Sequence, residues 1–520
     1  MRPKYKSPST LFSRLATALL VAGGLSVSVA NAATFQYRHS IMGLVASSTP
    51  QAQEAAAEIL VALTGGPALP PGEVNWPYSY DLKQLLSVTG ETGYNASSVS
   101  WELQSGQLPA GLSLGADGVI SGKPTTKDAV GGSFQVKATY KTKTGQQAYT
   151  IVVNGAVLHV TQIAAGVGHT CAVTTVGGVK CWGMNTNGLH GVSGLLGDGT
   201  TTAVRLTPVD VVGLTSGVTR VSIGYRHTCA VTSAGSLKCW GDNGVGTLGD
   251  GTTINRATPV TAIGLTGVVD VAASSSHTCA VTILGALKCW GYNAQGQLGD
   301  GTTNTRISPV GAPTILEGVT SLSAGSGHTC AVTTDGGAKC WGGGGYGQLG
   351  NNGTYNSSVP VQVSGLTSGV LSVAAGYTHT CAVMANGGVA CWGGNSSGQL
   401  GDNSTTLRKT PVAVSGLTSG VSSLTAGQSS TCAVTTEGAA KCWGTNSNGQ
   451  LGDGSVITRK TPVAVSGLTS GVLGIVAANG GGYHTCALTT DGPKCWGLND
   501  QGQLGDGSLI TRTTPTAVKP

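Results

Sequence analysis

Residues 277–310 read HTCAVTILGALKCWGYNAQGQLGDGTTNTRISPV, and variants of this string occur seven times between Ala156 and the end of the chain. The first cysteines of the seven copies are Cys171, Cys229, Cys279, Cys330, Cys381, Cys432 and Cys486, spaced 58, 50, 51, 51, 51 and 54 residues apart. A fixed period near fifty is the mark of one supersecondary unit stacked on itself, so the repeat decides the fold. Each copy carries four strand-like runs, which in copy three are PVTAI (259–263), VVDVAA (268–273), HTCAVT (277–282) and ALKCWG (286–291). Four antiparallel strands per copy, seven times over, predict a seven-bladed β-propeller. A solenoid would need atypical capping copies at its ends. Here the last copy stops after the strand 514–518, and the first lacks a T-P-V strand before His159. The tail is therefore expected to lie beside residues 159–164 in one sheet and close the ring.

All 14 cysteines fall in the repeats, two per copy. Six pairs are C-x9-C across a turn, which places the two cysteines opposite each other on neighbouring strands with side chains on one face. The expected disulfides are Cys171–Cys181, Cys229–Cys239, Cys279–Cys289, Cys330–Cys340, Cys381–Cys391, Cys432–Cys442 and Cys486–Cys495, the last with one residue fewer in its turn. A metal site built on His328, two residues before Cys330, is the rival. It offers only three ligands per copy, and Ser430 replaces the histidine in copy six. No metal and no other cofactor is expected.

The N-terminus looks like an export signal. Arg2, Lys4, Lys6 and Arg14 precede an apolar stretch from Leu15 to Ala30, and Ala30-Asn31-Ala32 supplies a cleavage pattern. Removing residues 1–32 lowers the formal charge from +6 to +2, which is no footprint for nucleic acid, and no later segment is long and apolar enough to span a membrane. An even set of regularly spaced cysteines fits the same oxidising destination, whether periplasm, cell surface or medium. Residues 33–69 read as an N-terminal segment and linker, with a short helix over 50–63. Residues 70–155 alternate in short runs (PYSYDL, SVSWEL, GVISG, SFQVKATY, QAYTIVV) that predict a small β-sandwich. The stretches LPAGLSL (108–114) and GVISGKP (118–124) resemble the immunoglobulin-like domains of bacterial surface proteins, which implies a spacer or adhesion module. The propeller occupies 156–520.

The G-x-x-H-T-x-A-[VL], W-G-x-N-x-x-G-Q-L-G and P-V signature over 156–520 resembles the regulator-of-chromosome-condensation repeat family. The guanine-nucleotide exchange of that family's founder acts on a small GTPase that an exported protein does not meet. Light sensing in the family uses tryptophans in G-W-R-H-T segments, whereas this chain has Gly224-Tyr225-Arg226-His227-Thr228. A secreted bacterial relative that inhibits β-lactamases implies that an exported version can work by binding protein. Within each copy the Asp-Gly of G-Q-L-G-D-G reads as turn chemistry, the Trp as packing and the His as a satisfied strand-end group.

The chain carries no G-x-S-x-G, no H-E-x-x-H and no carboxylate pair outside the repeated turns. We therefore expect a non-enzymatic binding module for a protein or a cell-surface polymer. The alternative is a metal-dependent or channel-site enzyme in which His169, His227, His277, His328, His379 and His484 ring the channel mouth. Two insertions break the repeat, Leu189–Gly194 in copy one and Asn479–Tyr483 in copy seven. Both should emerge on one face, and His190 and Tyr483 are the candidate contacts of a composite site there.

Overall fold

A computed structural model describes residues 58–187, 192–312, 318–479 and 481–520. The leader read over residues 1–32 lies outside these. Seven four-stranded antiparallel sheets follow one another from Val160 to Ala517, one blade per repeat. Blade three runs Val268–Ala273, His277–Thr282, Leu287–Gly291 and Arg306–Gly311, from the innermost strand to the outermost.

The blade frame differs from the one read in the sequence by one strand. The T-P-V run closes the sheet of the copy before it, so PVTAI of copy three belongs to blade two. In six of the seven copies a polar clasp ties the long connection back onto its own blade. In copy two, Asn243 Nδ2 donates to Asp250 Oδ1 at 3.0 Å, and Leu248 N–H donates to Asn243 Oδ1 at 3.0 Å. Arg256, first residue of the outer strand, pairs with Asp250 Oδ2 at 3.0 Å and lies opposite Gly241. The expected closure is corrected accordingly. The C-terminal strand Arg512–Ala517 pairs with Gly492–Gly497 of its own copy and not with residues 159–164.

The ring closes instead by the contact that joins every other pair of blades. All seven repeat tryptophans are fully buried, and each donates its indole N–H to a carbonyl in the connection of the preceding copy. Trp182 of copy one completes the circuit by donating to Gln503 O of copy seven at 3.0 Å. Each indole also packs where a glycine at positive φ leaves no Cβ. A Cβ on Gly299 would sit 2.7 Å from Trp341 Nε1. Burying a tryptophan is worth roughly 4–6 kcal/mol of transfer free energy before entropy is counted. The core thus sits between blades, as in the cluster that joins Val231, Leu237 and Leu248 to Val271 and Trp290.

A second circuit uses the H-T pair. His328 Nε2 bonds Thr380 Oγ1 of the next blade at 2.9 Å, and Thr380 donates to Gln348 O at 2.9 Å. Because the threonine proton is committed to the carbonyl, the histidine must carry its proton on Nε2. The same link runs from His169, His227, His277, His379 and His484 to Thr228, Thr278, Thr329, Thr431 and Thr170. Ser430 in copy six is the one break. The six imidazoles are fully or almost fully buried, and burial pushes their pKa values down to about 3 or 4.

The cysteines stand opposite each other in every blade and form all seven expected disulfides, Cys486–Cys495 among them at the same Cα–Cα distance of 4.1 Å as Cys171–Cys181.

Before the propeller, Ser100–Gly106, Ser133–Tyr140 and Lys143–Thr150 make one sheet, and Tyr78–Asp81, Val119–Gly122 and Leu112–Leu114 make another, around Ile120, Phe134, Val136 and Tyr149. The expected helix over 50–63 is corrected for its described part. Leu60–Leu63 is a strand paired with Leu86–Thr89, and it buries Val61 and Leu63 in alternation as a half-buried strand does. The end of the segment read as linker also joins the sandwich, since Leu69 is buried and its N–H donates to Thr150 O at 2.9 Å. Glu73 then reaches the first blade, accepting from Val157 N–H at 2.7 Å and bonding His159 Nε2 at 3.0 Å, while Trp76 stacks on His159.

Candidate binding face

In each blade the turn from the innermost to the second strand and the connection leaving the third strand emerge at the same end. At the other end, Thr175 N–H donates to His159 O, so the sandwich joins the propeller there. The first end carries a chemistry the scaffold does not explain. Residues 156–520 contain no Phe, seven buried scaffold tryptophans and six tyrosines. Tyr225, Tyr377 and Tyr483 lie in turns between innermost and second strands, and Tyr292, Tyr346 and Tyr355 lie in connections after the third. All six are therefore at one end, and they are spread unevenly: Tyr225 and Tyr377 hold the same place two residues before the histidine, copy four has two tyrosines, and copies one and six have none. Tyr355 is 85% exposed and Tyr346 55%, so they are not placed there for packing.

Copy four shows where this chemistry displaces the scaffold. The clasp residues Asn, Asp and Arg are replaced there by Gly344, Asn351 and Ser357, and the same connection gains Tyr346 and Tyr355. In the copies that keep the clasp, burial raises the aspartate pKa, but hydrogen bonds and the arginine outweigh it. Asp250 thus ends below the ordinary carboxylate value through Thr252, Asn243 and Arg256.

Two cavities open on this end and share Tyr225 as their common wall. One, of about 600 Å³, has Val167, Met184 and Leu498 at its apolar lining and Tyr225, Tyr483 and Asp500 around it. It joins copies seven, one and two. Tyr483 accordingly lines one cavity with Met184 and Thr186 of copy one, while His190 lies outside the described residues. The second cavity, of about 410 Å³, is lined by Tyr225, Arg226, Asp242, Ser275, Ser326 and Tyr377 among others.

The copy-seven insertion is not a free loop. Asn479 Nδ2 donates to Ala324 O and Ala375 O, at 3.1 Å each, so a residue of blade seven reaches blades four and five over the axis. The channel beneath holds about 250 Å³ and is lined by the innermost strands, with Ala165, Ala273 and Ala426 among the residues. The six histidines expected at its mouth are spent on blade-to-blade bonds instead. No cluster of three or more His, Cys, Asp or Glu suited to a metal occurs among the described residues, and no helix among them is long and apolar enough to cross a membrane.

A ring of seven blades tied by indole–carbonyl and His–Thr links defines a propeller whose variable residues gather at one end. Family models agree with this architecture. The RCC1-like domain model matches residues 121–415, the regulator of chromosome condensation (RCC1) repeat matches 437–488 and 421–450, and the "Putative Ig domain" model matches 61–154. The chain belongs to the RCC1 family. It is similar to the ultraviolet-B receptor UVR8 of Arabidopsis thaliana, 32% identical over 365 residues, or 69% of this chain and 70% of that protein. It also matches the E3 ubiquitin-protein ligase HERC2 of Mus musculus, 34% identical over 205 residues, which is 38% of this chain but only 4% of the ligase. Among solved structures, Prp20p of Saccharomyces cerevisiae, described with its binding to Gsp1p and histones, superposes with a TM-score of 0.58 at 20% identity, covering 67% of this chain and 87% of that one. Human WBSCR16 gives 0.54 at 24% identity, covering 61% and 85%.

Proposed function

We propose that the protein is an exported, non-enzymatic binding module, with the sandwich as spacer and the tyrosine-bearing end of the propeller engaging a protein or a cell-surface polymer. The observation that carries this reading is the gathering of all six propeller tyrosines at the end away from the sandwich. Tyrosine brings a large, rigid ring with a polar tip at low entropic cost, and with Ser, Gly and Asn around it the surface has the composition of a recognition surface. Seven disulfides and the basic, apolar leader support export. The binding of Prp20p to other proteins supports recognition as the use of such a propeller. Within the face, Tyr483 and His190 of the copy-one insertion are the contacts proposed for a composite site. The test is affinity capture from the native envelope and medium with residues 33–520, compared with the double variant Tyr346→Ala/Tyr377→Ala. A captured component that the variant loses supports the reading. Capture unchanged by the variant, and unchanged again in Tyr225→Ala/Tyr483→Ala, refutes it.

A further inference from the structure

Eight arginines lie among the described residues, and seven of them pair with an aspartate or occupy a clasp position next to one. Arg226 alone forms no ion pair among the described residues. Its guanidinium lies over the ring of Tyr225, 4.6 Å from the centroid, and its Nε–H is buried without an acceptor. A charged donor left unsatisfied in a partly buried place is costly, and guanidinium is the side chain best shaped to take a carboxylate on two parallel bonds.

The rest of the 410 Å³ cavity narrows the ligand. Asp242 also lines it, with Oδ1 accepting from Gly244 N–H at 2.9 Å and Oδ2 free of any bond among the described residues. That carboxylate, beside a single guanidinium, disfavours a doubly charged phosphate in the cavity, but it accepts readily from a hydroxyl. Ser275 donates to Ser326 Oγ at 3.1 Å, which leaves the Ser326 hydroxyl proton with no acceptor among the described residues. Tyr225 and Tyr377 present flat rings on the same lining. A carboxylate acceptor for Arg226, hydroxyl donors for Asp242, a further oxygen for Ser326 and a C–H face for the tyrosines together describe one chemical class.

We propose that this cavity binds an acidic sugar, a uronic acid residue of a surface polymer, with its carboxylate on Arg226 and its hydroxyls on Asp242 and Ser326. An acidic protein side chain would satisfy Arg226 but has no hydroxyl for Asp242. The inference rests on the binding-module reading and names the ligand of that same face.

The test is titration of the full mature chain at low salt with three probes: a hexamer of a 1,4-linked uronic acid, the same hexamer with its carboxyls reduced to alcohols, and hexaglutamate. The readouts are calorimetric affinity and the Nε–Hε NMR signal of Arg226, assigned by its loss in Arg226→Gln. The uronide should bind and move that signal, with affinity about tenfold lower for the reduced hexamer and for Arg226→Lys, which keeps the charge but not the fork. Asp242→Asn should also weaken it. Arg226→Gln should melt like the parent, because no ion pair is lost. Hexaglutamate binding as tightly as the uronide, equal binding of the reduced hexamer, or a silent Arg226 signal overturns the proposal. If that happens while Tyr346→Ala/Tyr377→Ala still abolishes capture from the envelope, the sugar assignment falls and the face stands. If capture is unaffected both there and in Tyr225→Ala/Tyr483→Ala, both fall.

Discussion

Acid should open this propeller well above the pH at which its aspartates titrate. The six ring histidines are neutral in the fold, with pKa values pushed by burial from 6.5 down to about 3 or 4. Protonation could occur only at Nδ1, which for His169, His328, His379 and His484 has no partner, so it would bury an unpaired charge. The unfolded chain has no such obstacle and takes up these protons near pH 6.5. The sign follows: the unfolded state binds more protons below that pH, so stability is complete above 6.5 and falls steadily towards 4. At pH 5.5 each histidine costs roughly 1.4 kcal/mol and the six together roughly 8 kcal/mol, comparable with the whole stability of an ordinary domain. The aspartate pKa values lie below 3.8 where lowered, so they contribute only at lower pH, and in the same direction.

The assay is guanidinium unfolding from pH 7.5 to 5 at fixed ionic strength, disulfides intact, followed by fluorescence of the buried tryptophans. Its slope against pH counts the protons taken up. His328→Ser, which copies what copy six already has at Ser430, should lose stability at pH 7.5 but lower the slope by about 1.4 kcal/mol per pH unit, one proton's worth. A stability that is flat from pH 7.5 to 5, or a slope that His328→Ser leaves alone, would falsify the account.

Ser430→His should supply the missing seventh link, to Thr485 Oγ1, raising stability by about 1 kcal/mol at pH 7.5 and adding one proton to the slope measured above. All fourteen cysteines are paired, so none should alkylate, even in denaturant, until a reductant is added, and Cys330→Ala/Cys340→Ala should cost about 2.5–3 kcal/mol by the chain-entropy estimate; a free thiol or a crosslink between copies in non-reducing peptide maps refutes the pairing. Truncation after Asp506 removes Arg512 and the outer strand of blade seven, so the connection holding Gln503 O against Trp182 loses its clasp. The melting temperature of the whole propeller should fall, and an unchanged one counts against closure through that contact.

The seven blades, the disulfide pairs and the family were legible because each depends on residues that repeat: paired cysteines at a fixed interval can only be opposite neighbours, and a tryptophan present in all copies must do the same work in each. What the repeat could not reveal is which copy a strand serves. The T-P-V run lies nearer in sequence to the next blade, and it is the strand pairing, tied in six copies by a clasp such as Asn243–Asp250–Arg256, that assigns it backwards. That clasp was itself visible as an interval from Asp to Arg of six residues in five copies and seven in copy one, absent as a set from copy four, a covariation that turn chemistry alone does not require. The candidate face was hidden for the opposite reason. Only Tyr225 and Tyr377 share a position in the repeat and the other four fall elsewhere, so they carry no period, and they stand out only after the scaffold residues are subtracted. Tyr483 was found because an insertion flanks it, but the same insertion misled about its freedom, since Asn479 ties it over the channel to Ala324 and Ala375. Trimming that loop would therefore loosen three blades together with any site. The composite groove is better probed by Tyr483→Ala, which leaves Asn479 in place and separates recognition from the tie across the ring.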